Sequence, residues 1–511
     1  MTNAGQQFRN HEILLTGANG FLGKVVVGML AERYPDFKHL HILLRSQGEL
    51  SAKERFEQQT LASPAFSTQT KPLPRSEISV WAGDVGVPMC GLDAPALERL
   101  TGRVSLIINC AGLVEFFPSL DQSFRSNVDG VEHVVALAKR LSARLLHVST
   151  CYVCGDREGL VEESEPIRGF YPHRKGLDDT SFDHVEELRH ARERIRHIYE
   201  TTSTSESNRR ELTERLVALG RQRSRNWGWV NTYTYAKSLG EQIIASEPDL
   251  DYTIVRPPIV ESALQFPFPG WIEGGRTAAP LVLMALGGLK DWPVRKDIPL
   301  EIAPVDQIAA AVLMVGALAL DLSADGRAKV YQLGTADTNP FELEPLVSLL
   351  DVESRRAANK RKNGGSFLID PSGRMRFLTA EQARARRAKL RKRIERTQNA
   401  IGGAIKFLDS AHLPGRSALS AWSMGLRSLS LQTNFREQVL DQYLPFILHN
   451  RYIFESVNIR LARSQMTERD RELLPWLPER IDWKDYWVNQ QVKGIQKWIQ
   501  PEAVRDWAFK I

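Results

Sequence analysis

The chain has 511 residues, 42% hydrophobic and 25% charged, which excludes a disordered, collagen-like or disulfide-scaffold protein. Its net charge of +6 is concentrated in residues 381–396, which hold eight basic and two acidic side chains. Elsewhere the signs cancel, so the chain is not a globally basic nucleic-acid binder, and no nucleic-acid partner is expected.

The N-terminal MTNAGQQFRNHE has no apolar run, so no leader peptide and a cytoplasmic location are expected. Residues 11–16 read as a short buried strand. A Gly-rich turn and an apolar helix follow, GANGFLGKVVVGMLAERY. Further apolar runs stand at 39–45, 78–85, 104–112, 144–150 and 252–258, with helical stretches between most of them. Strands without polar alternation, separated by helices, predict an α/β fold of the Rossmann type: a doubly wound parallel sheet covered on both faces. The run 308–320, IAAAVLMVGALAL, is too short to span a bilayer and reads as a buried core helix. Residues 155–231 are rich in Arg, Glu and His, helical over 183–221, and read as an insertion. Past about 340 the alternation stops. The expectation is a cofactor domain over 1–340 and a helical C-terminal domain over 341–511.

The first turn runs Thr16, Gly17, Ala18, Asn19, Gly20, Phe21, Leu22, Gly23. Glycine suits the tight turn at Gly17, the close approach to a pyrophosphate at Gly20, and the helix–sheet contact at Gly23. The following helix N-terminus offers free N–H groups to the anion. Arg45 ends the second strand, where an NAD enzyme places an acid for the ribose diol. An arginine there suits the 2′-phosphate of NADPH, or else is a solvated surface group. Asp84, after the third strand, is a candidate acceptor for the adenine amine. Asn109, Ala111 and Gly112 close the fourth strand where the backbone passes the cofactor.

Tyr233 and Lys237 are four residues apart and share one helix face. An ammonium beside a phenol favours phenolate and lowers the tyrosine pKa, making it a usable acid near neutrality. Lys237 can also hold the nicotinamide ribose. Thr150, with Ser149 before it, ends the strand HVST and supplies a hydroxyl to a substrate carbonyl. Tyr235 is the rival in register, but no lysine follows it by four.

The strings TGANGFLGK, LLR, GDV, NCAG, STCYV, YTYAK and RPPIVES together resemble the extended short-chain dehydrogenase/reductase superfamily. STCYV, NTYTYAKSLGEQ and RPPIVESALQFPFPGWIEG, with the later LPFILHNRYIFES and IDWKDYW, are similar to its fatty acyl-CoA reductase branch. The resemblance implies Thr150, Tyr233 and Lys237 as catalytic, and Gly17, Gly20, Gly23 and Arg45 at the cofactor. It implies reduction of a long-chain acyl-CoA by NADPH, with loss of CoA and a second reduction of the aldehyde to a fatty alcohol. Pro258 departs from the family's frequent serine, and no contact is assigned to it. The alternatives are arrest at the aldehyde, a nucleotide-sugar or hydroxysteroid-type dehydrogenase, and a silent NADPH sensor.

Three features stay open at this level. Cys151 and Cys154 form a CxxC without a second ligand pair, so no metal is expected and wall residues are the plainer role. The insertion before Tyr233 builds part of a substrate channel or is peripheral. The basic segment is a solvated face, a CoA-phosphate surface, or, with the apolar stretch 401–430, a peripheral membrane contact over 381–430.

Overall fold

Apolar runs without alternation need cover on both faces, and all six runs become parallel strands. The computed structural model describes residues 1–499 apart from 72, 177–178, 203–207, 276, 324–326, 362–373 and 412–415. Four positions of the apolar stretch 401–430, and the chain beyond 499, thus lie outside the described residues. The strands are β1 (Glu12–Thr16), β2 (His39–Leu44), β3 (Ile78–Ala82), β4 (Val104–Asn109), β5 (Arg144–Val148), β6 (Gly159–Val161), β7 (Tyr252–Arg256), β8 (Ile259–Glu261), β9 (Asp291–Trp292), β10 (Ile302–Pro304), β11 (Val330–Gln332), β12 (Arg376–Phe377) and β13 (Tyr452–Phe454).

Seven of them form one parallel sheet in the order β3-β2-β1-β4-β5-β7-β11. The order reverses between β1 and β4, which opens a crevice at their carboxyl ends. β1, β2, β4, β5 and β7 are almost wholly buried, whereas the edge strand β3 is only partly covered. The helix Val305–Leu320 is buried along all 16 residues and packs on helix Phe21–Arg33 and the sheet. Its apolar composition therefore reflects burial on every side. Among the described residues no helix is long and apolar enough to cross a membrane.

The insertion folds into helices His184–Thr201 and Arg209–Trp227. Their apolar faces share a core with Leu120, Phe124, Tyr235 and Leu239. The buried carboxylate of Glu187 takes hydrogen bonds from Arg223, Trp227 and Tyr235. The insertion thus braces the outer side of helix Thr232–Ala245.

Residues past 340 share both large cores with residues before it. Ile459, Met466 and Trp476 join the core under the sheet. Phe446, Phe454 and Trp487 join Cys151, Tyr152 and Val282 in a second. β13 pairs in parallel with β6, Tyr452 opposite Gly159, and β12 pairs with β9. Helices Ala380–Ala411 and Arg416–Leu444 pack on each other as a long hairpin.

Candidate active site

The Gly-rich turn is shaped by what a side chain would strike. Gly17 has φ +73°, and a Cβ there would lie 2.7 Å from the Cys110 carbonyl carbon. A Cβ on Gly23 would lie 2.1 Å from the Gly17 oxygen, so that glycine lets the helix close on the turn. Gly20 caps helix Phe21–Arg33 with no side-chain hydrogen bond, leaving the first-turn N–H groups for an anion. Phe21 and Leu22 lend that turn their backbone; their side chains pack into the core, Phe21 against Trp271.

A polar cleft of about 180 Å³ is lined by Thr16, Gly17, Asn19, Gly20, Arg45, Asp84, Ala111 and Gly112, so the structure brings these expected cofactor residues together. Asn109 lies just behind them and accepts the Thr16 hydroxyl at 2.6 Å. The cleft continues into an open recess of about 610 Å³ walled by Arg45, Arg55 and Asp84. Arg55 donates to the Arg45 carbonyl at 3.0 Å, and the nearby Arg45 charge adds to burial in lowering its pKa. Two cations facing one recess fit a phosphate better than a ribose diol. Asp84 is engaged by Arg125 at 2.9 Å and the Gly86 N–H at 2.8 Å. The cradle, the free helix N-terminus and the two neighbouring arginines fit a nicotinamide dinucleotide.

The expected catalytic residues lie just past the end of β5 (Thr150) and on the first turns of helix Thr232–Ala245 (Tyr233 and Lys237). Asn231 caps that helix, its side chain accepting the Thr234 N–H at 2.9 Å. Glu241 and Arg256 form a buried ion pair through two guanidinium nitrogens, pinning the helix to β7. The Thr150 side chain accepts the Tyr152 N–H at 3.3 Å and donates to the Pro257 carbonyl at a long 3.4 Å. Ser149 Oγ is buried with no hydrogen-bond partner among the described residues. The turn Cys151–Cys154 packs on the helix that carries Tyr233 and Lys237. The Cys151 thiol donates to the Arg256 carbonyl at 2.8 Å, and burial raises its pKa well above the usual thiol value.

One expectation is corrected. The Tyr233 pKa is raised, not lowered, because burial disfavours phenolate. Lys237 Nζ is committed elsewhere, donating to the Val148 carbonyl at 2.7 Å and lying 3.3 Å from His147 Nε2. Burial pushes Lys237 down to about 8. The phenol is therefore held as an acid. Tyr235 turns to the opposite side of the helix and is buried against Glu187.

Three residues escaped the sequence reading. Arg55 sits in a helix that carried no motif. Asn127 clamps the loop after β4, accepting the Leu113 N–H and donating to its carbonyl at 3.1 and 3.0 Å. His147 faces Lys237 from within β5. Its position two before Ser149 was visible, but nothing in the sequence marked it as polar contact rather than core.

The model of the male sterility protein family matches residues 15–312. Curated relatives match over nearly full length. "Probable fatty acyl-CoA reductase 4" of Arabidopsis thaliana is 27% identical, covering 98% of this chain and 99% of its own. "Alcohol-forming fatty acyl-CoA reductase" of Simmondsia chinensis is 25% identical, covering 95% and 96%. "Fatty acyl-CoA reductase 1" of Gallus gallus is 24% identical, covering 99% and 87%. In fold, the chain is similar to the terminal reductase domain of the myxalamid biosynthetic pathway, with TM-score 0.51, 17% identity and coverage of 91% and 89%. It is also similar to the reductase domain of a nonribosomal peptide synthetase from Mycobacterium tuberculosis, with TM-score 0.50, 20% identity and coverage of 95% and 92%. With its dinucleotide cleft, the chain is an oxidoreductase with a nicotinamide cofactor and belongs to the male sterility protein family.

Proposed function

We propose that the protein reduces long-chain fatty acyl-CoA with NADPH, releasing CoA and carrying the aldehyde on to a fatty alcohol. One observation carries the reading: the Thr150 turn forms part of the wall of an apolar cavity. Tyr152, bonded to Thr150, lines it together with Val282, Leu346, Leu350, Phe446 and Trp487. The free space within is slim, about 50 Å³, so an extended chain enters by parting side chains. Such a mostly apolar wall suits an acyl tail better than a sugar or a nucleotide. None of the described residues of 155–231 lines it, which supports a bracing role for the insertion. The arginine pair Arg45 and Arg55 supports NADPH over NADH.

When bound, the nicotinamide supplies the hydride for each reduction. Thr150 and Tyr233 hold the thioester oxygen, and the long Thr150–Pro257 bond is weak enough to be exchanged for it. As charge grows on that oxygen, Tyr233 donates its proton. Collapse of the hemithioacetal breaks its C–S bond, its hydroxyl proton passes to the departing CoA sulfur, the aldehyde is left, and Tyr233 regains a proton from solvent before the second round. In the second round the same hydroxyls hold the aldehyde oxygen, and Tyr233 protonates it to the alcohol. Lys237 holds the ribose and keeps a positive charge beside the site. The purified protein is to be offered NADPH with acyl-CoAs of graded length, a long-chain aldehyde, a nucleotide sugar and a steroid ketone. Thiol release from acyl-CoA is expected; turnover of only the sugar or the steroid overturns the reading.

A peripheral lipid contact belongs to the same proposal, because the substrate partitions into membranes. Arg386, Arg387 and Arg391 of the basic segment pair with Asp291, Asp441 and Glu437 at 3.0, 2.9 and 2.8 Å, so much of the charge excess is spent within the fold. Large apolar side chains are exposed further along the hairpin, at Phe407, Trp422, Met424 and Leu431. This shifts the proposed contact from the basic segment to the distal part of the hairpin.

A further inference from the structure

Four buried polar side chains join the glycine turn to the catalytic lysine. The Ala111 N–H donates to Thr16 Oγ1 at 3.1 Å, and the Thr16 hydroxyl donates to Asn109 Oδ1 at 2.6 Å. Asn109 Nδ2 meets His147 Nδ1 at 3.0 Å, and His147 Nε2 meets Lys237 Nζ at 3.3 Å. Thr16, Asn109, His147 and Lys237 are 1%, 2%, 0% and 4% exposed. They come from the adjacent strands β1, β4 and β5 and from the catalytic helix. The chain therefore crosses three strands near the crevice where the dinucleotide cleft lies.

We propose that His147 is a positioning residue that ties the charge of Lys237 to the hydrogen-bond direction of Thr16 at the dinucleotide turn. The inference rests on Lys237 holding the nicotinamide ribose, but not on the identity of the acyl substrate.

A neutral imidazole has one N–H and one lone pair. When Asn109 donates to Nδ1, the imidazole proton sits on Nε2 and points at Lys237, which must accept it as the neutral amine. When Lys237 is the ammonium it donates to Nε2, the proton moves to Nδ1, and the Asn109 amide must present its oxygen there. Its NH₂ then faces Thr16. Thr16 Oγ1 is committed to Ala111 by one lone pair only, so the hydroxyl can donate toward Asn109 or accept from it. Each charge state of Lys237 thus selects one direction for the whole chain.

The surroundings keep other titrations out of the way. Burial and the lysine charge hold His147 well below its usual value, so it stays neutral. Cys110 is pushed up to about 12 by burial, and burial raises Tyr233. Glu241, which favours the charged lysine, is held by Arg256. Lys237 is the group among these that changes charge near pH 8.

The test is NADPH affinity of the full chain across about pH 6 to 10, read by nicotinamide fluorescence, with NADH in parallel to remove the 2′-phosphate. For the wild type, affinity should fall with a midpoint near 8 as the ammonium is lost. His147→Phe removes an acceptor of a charge-assisted hydrogen bond and should move the midpoint about one pH unit lower. His147→Gln, which can still accept from the lysine, should restore most of it. Thr16→Val breaks the chain at its far end and should move the midpoint although it does not touch Lys237. A wild-type midpoint that Thr16→Val leaves in place overturns the coupling alone, whatever His147→Phe does. Absence of any midpoint in the wild type overturns the placing of Lys237 at the ribose, and the coupling with it.

Discussion

The ring of Tyr152 stands edge-on to the ring of Phe446, with centroids 4.9 Å apart and planes at 83°. Tyr152 belongs to the turn that carries Thr150, and Phe446 to the region past 340, so the C-terminal third touches the catalytic turn directly. Substitutions in the shared cavity should therefore change chain-length preference rather than chemistry. Leu346→Phe, which narrows it, is expected to lower kcat/KM for the longest acyl-CoA about tenfold relative to a medium-chain one, within the range seen for hydrophobic pockets. An equal loss at every chain length would remove the cavity from substrate binding.

Tyr233 is expected to be indispensable to turnover and dispensable to the cofactor. Tyr233→Phe should cost about 10²- to 10⁴-fold in kcat, the range for a general acid, while NADPH affinity changes less than about threefold. Retained turnover would reassign the proton donor.

The pH dependence follows from the lowered Lys237 pKa. The ammonium is present below about 8 and lost above it, so kcat/KM should decline on the alkaline side from that point. Stability runs the other way. Between about 8 and the ordinary lysine value of 10.5, the unfolded chain holds a proton on this lysine that the folded chain has shed. The Lys237 contribution to unfolding free energy therefore rises with pH across that window. Urea unfolding of the wild type and Lys237→Met at several pH values checks it: the difference between the two should vary with pH in that window.

The parts of the fold written in local pattern were legible. The Gly17–Gly20–Gly23 spacing, the apolar strands and the helix Val305–Leu320 each announce themselves within a few residues. β6 and β13 did not, because three residues carry no period, and their pairing joins segments about 290 positions apart. Asn127, Arg55 and His147 were missed for a related reason. Their roles lie in partners from distant strands and loops, and one polar residue at the end of an apolar run looks the same whether it contacts a site or solvent.

The buried pair Glu241–Arg256 links the catalytic helix to β7 and should be structural. Glu241→Ala leaves Arg256 charged and unpaired in the core, and is expected to lower unfolding free energy by about 3–5 kcal/mol. A change under about 1 kcal/mol would mean that the guanidinium finds other partners.

The recess at Arg45 and Arg55 is expected to set cofactor choice. Arg45→Ala with Arg55→Ala should weaken NADPH at least about tenfold and leave NADH nearly unchanged, since each charge-assisted hydrogen bond contributes about 1.5–3 kcal/mol. The lipid contact has a parallel test. Flotation with anionic vesicles should be reduced by Phe407→Glu with Trp422→Glu, and unchanged flotation would remove the hairpin from the membrane.

The proposed reaction is a two-step reduction of an acyl-CoA at one Thr-Tyr-Lys site. Its most direct measurement is the ratio of NADPH oxidised to CoA thiol released, with one long-chain acyl-CoA and the purified full chain. Two NADPH per thiol and an alcohol product are expected, with both signals lost in Tyr233→Phe. One NADPH per thiol with accumulated aldehyde would contradict the second step, and NADPH oxidation without thiol release from any acyl-CoA would contradict the function.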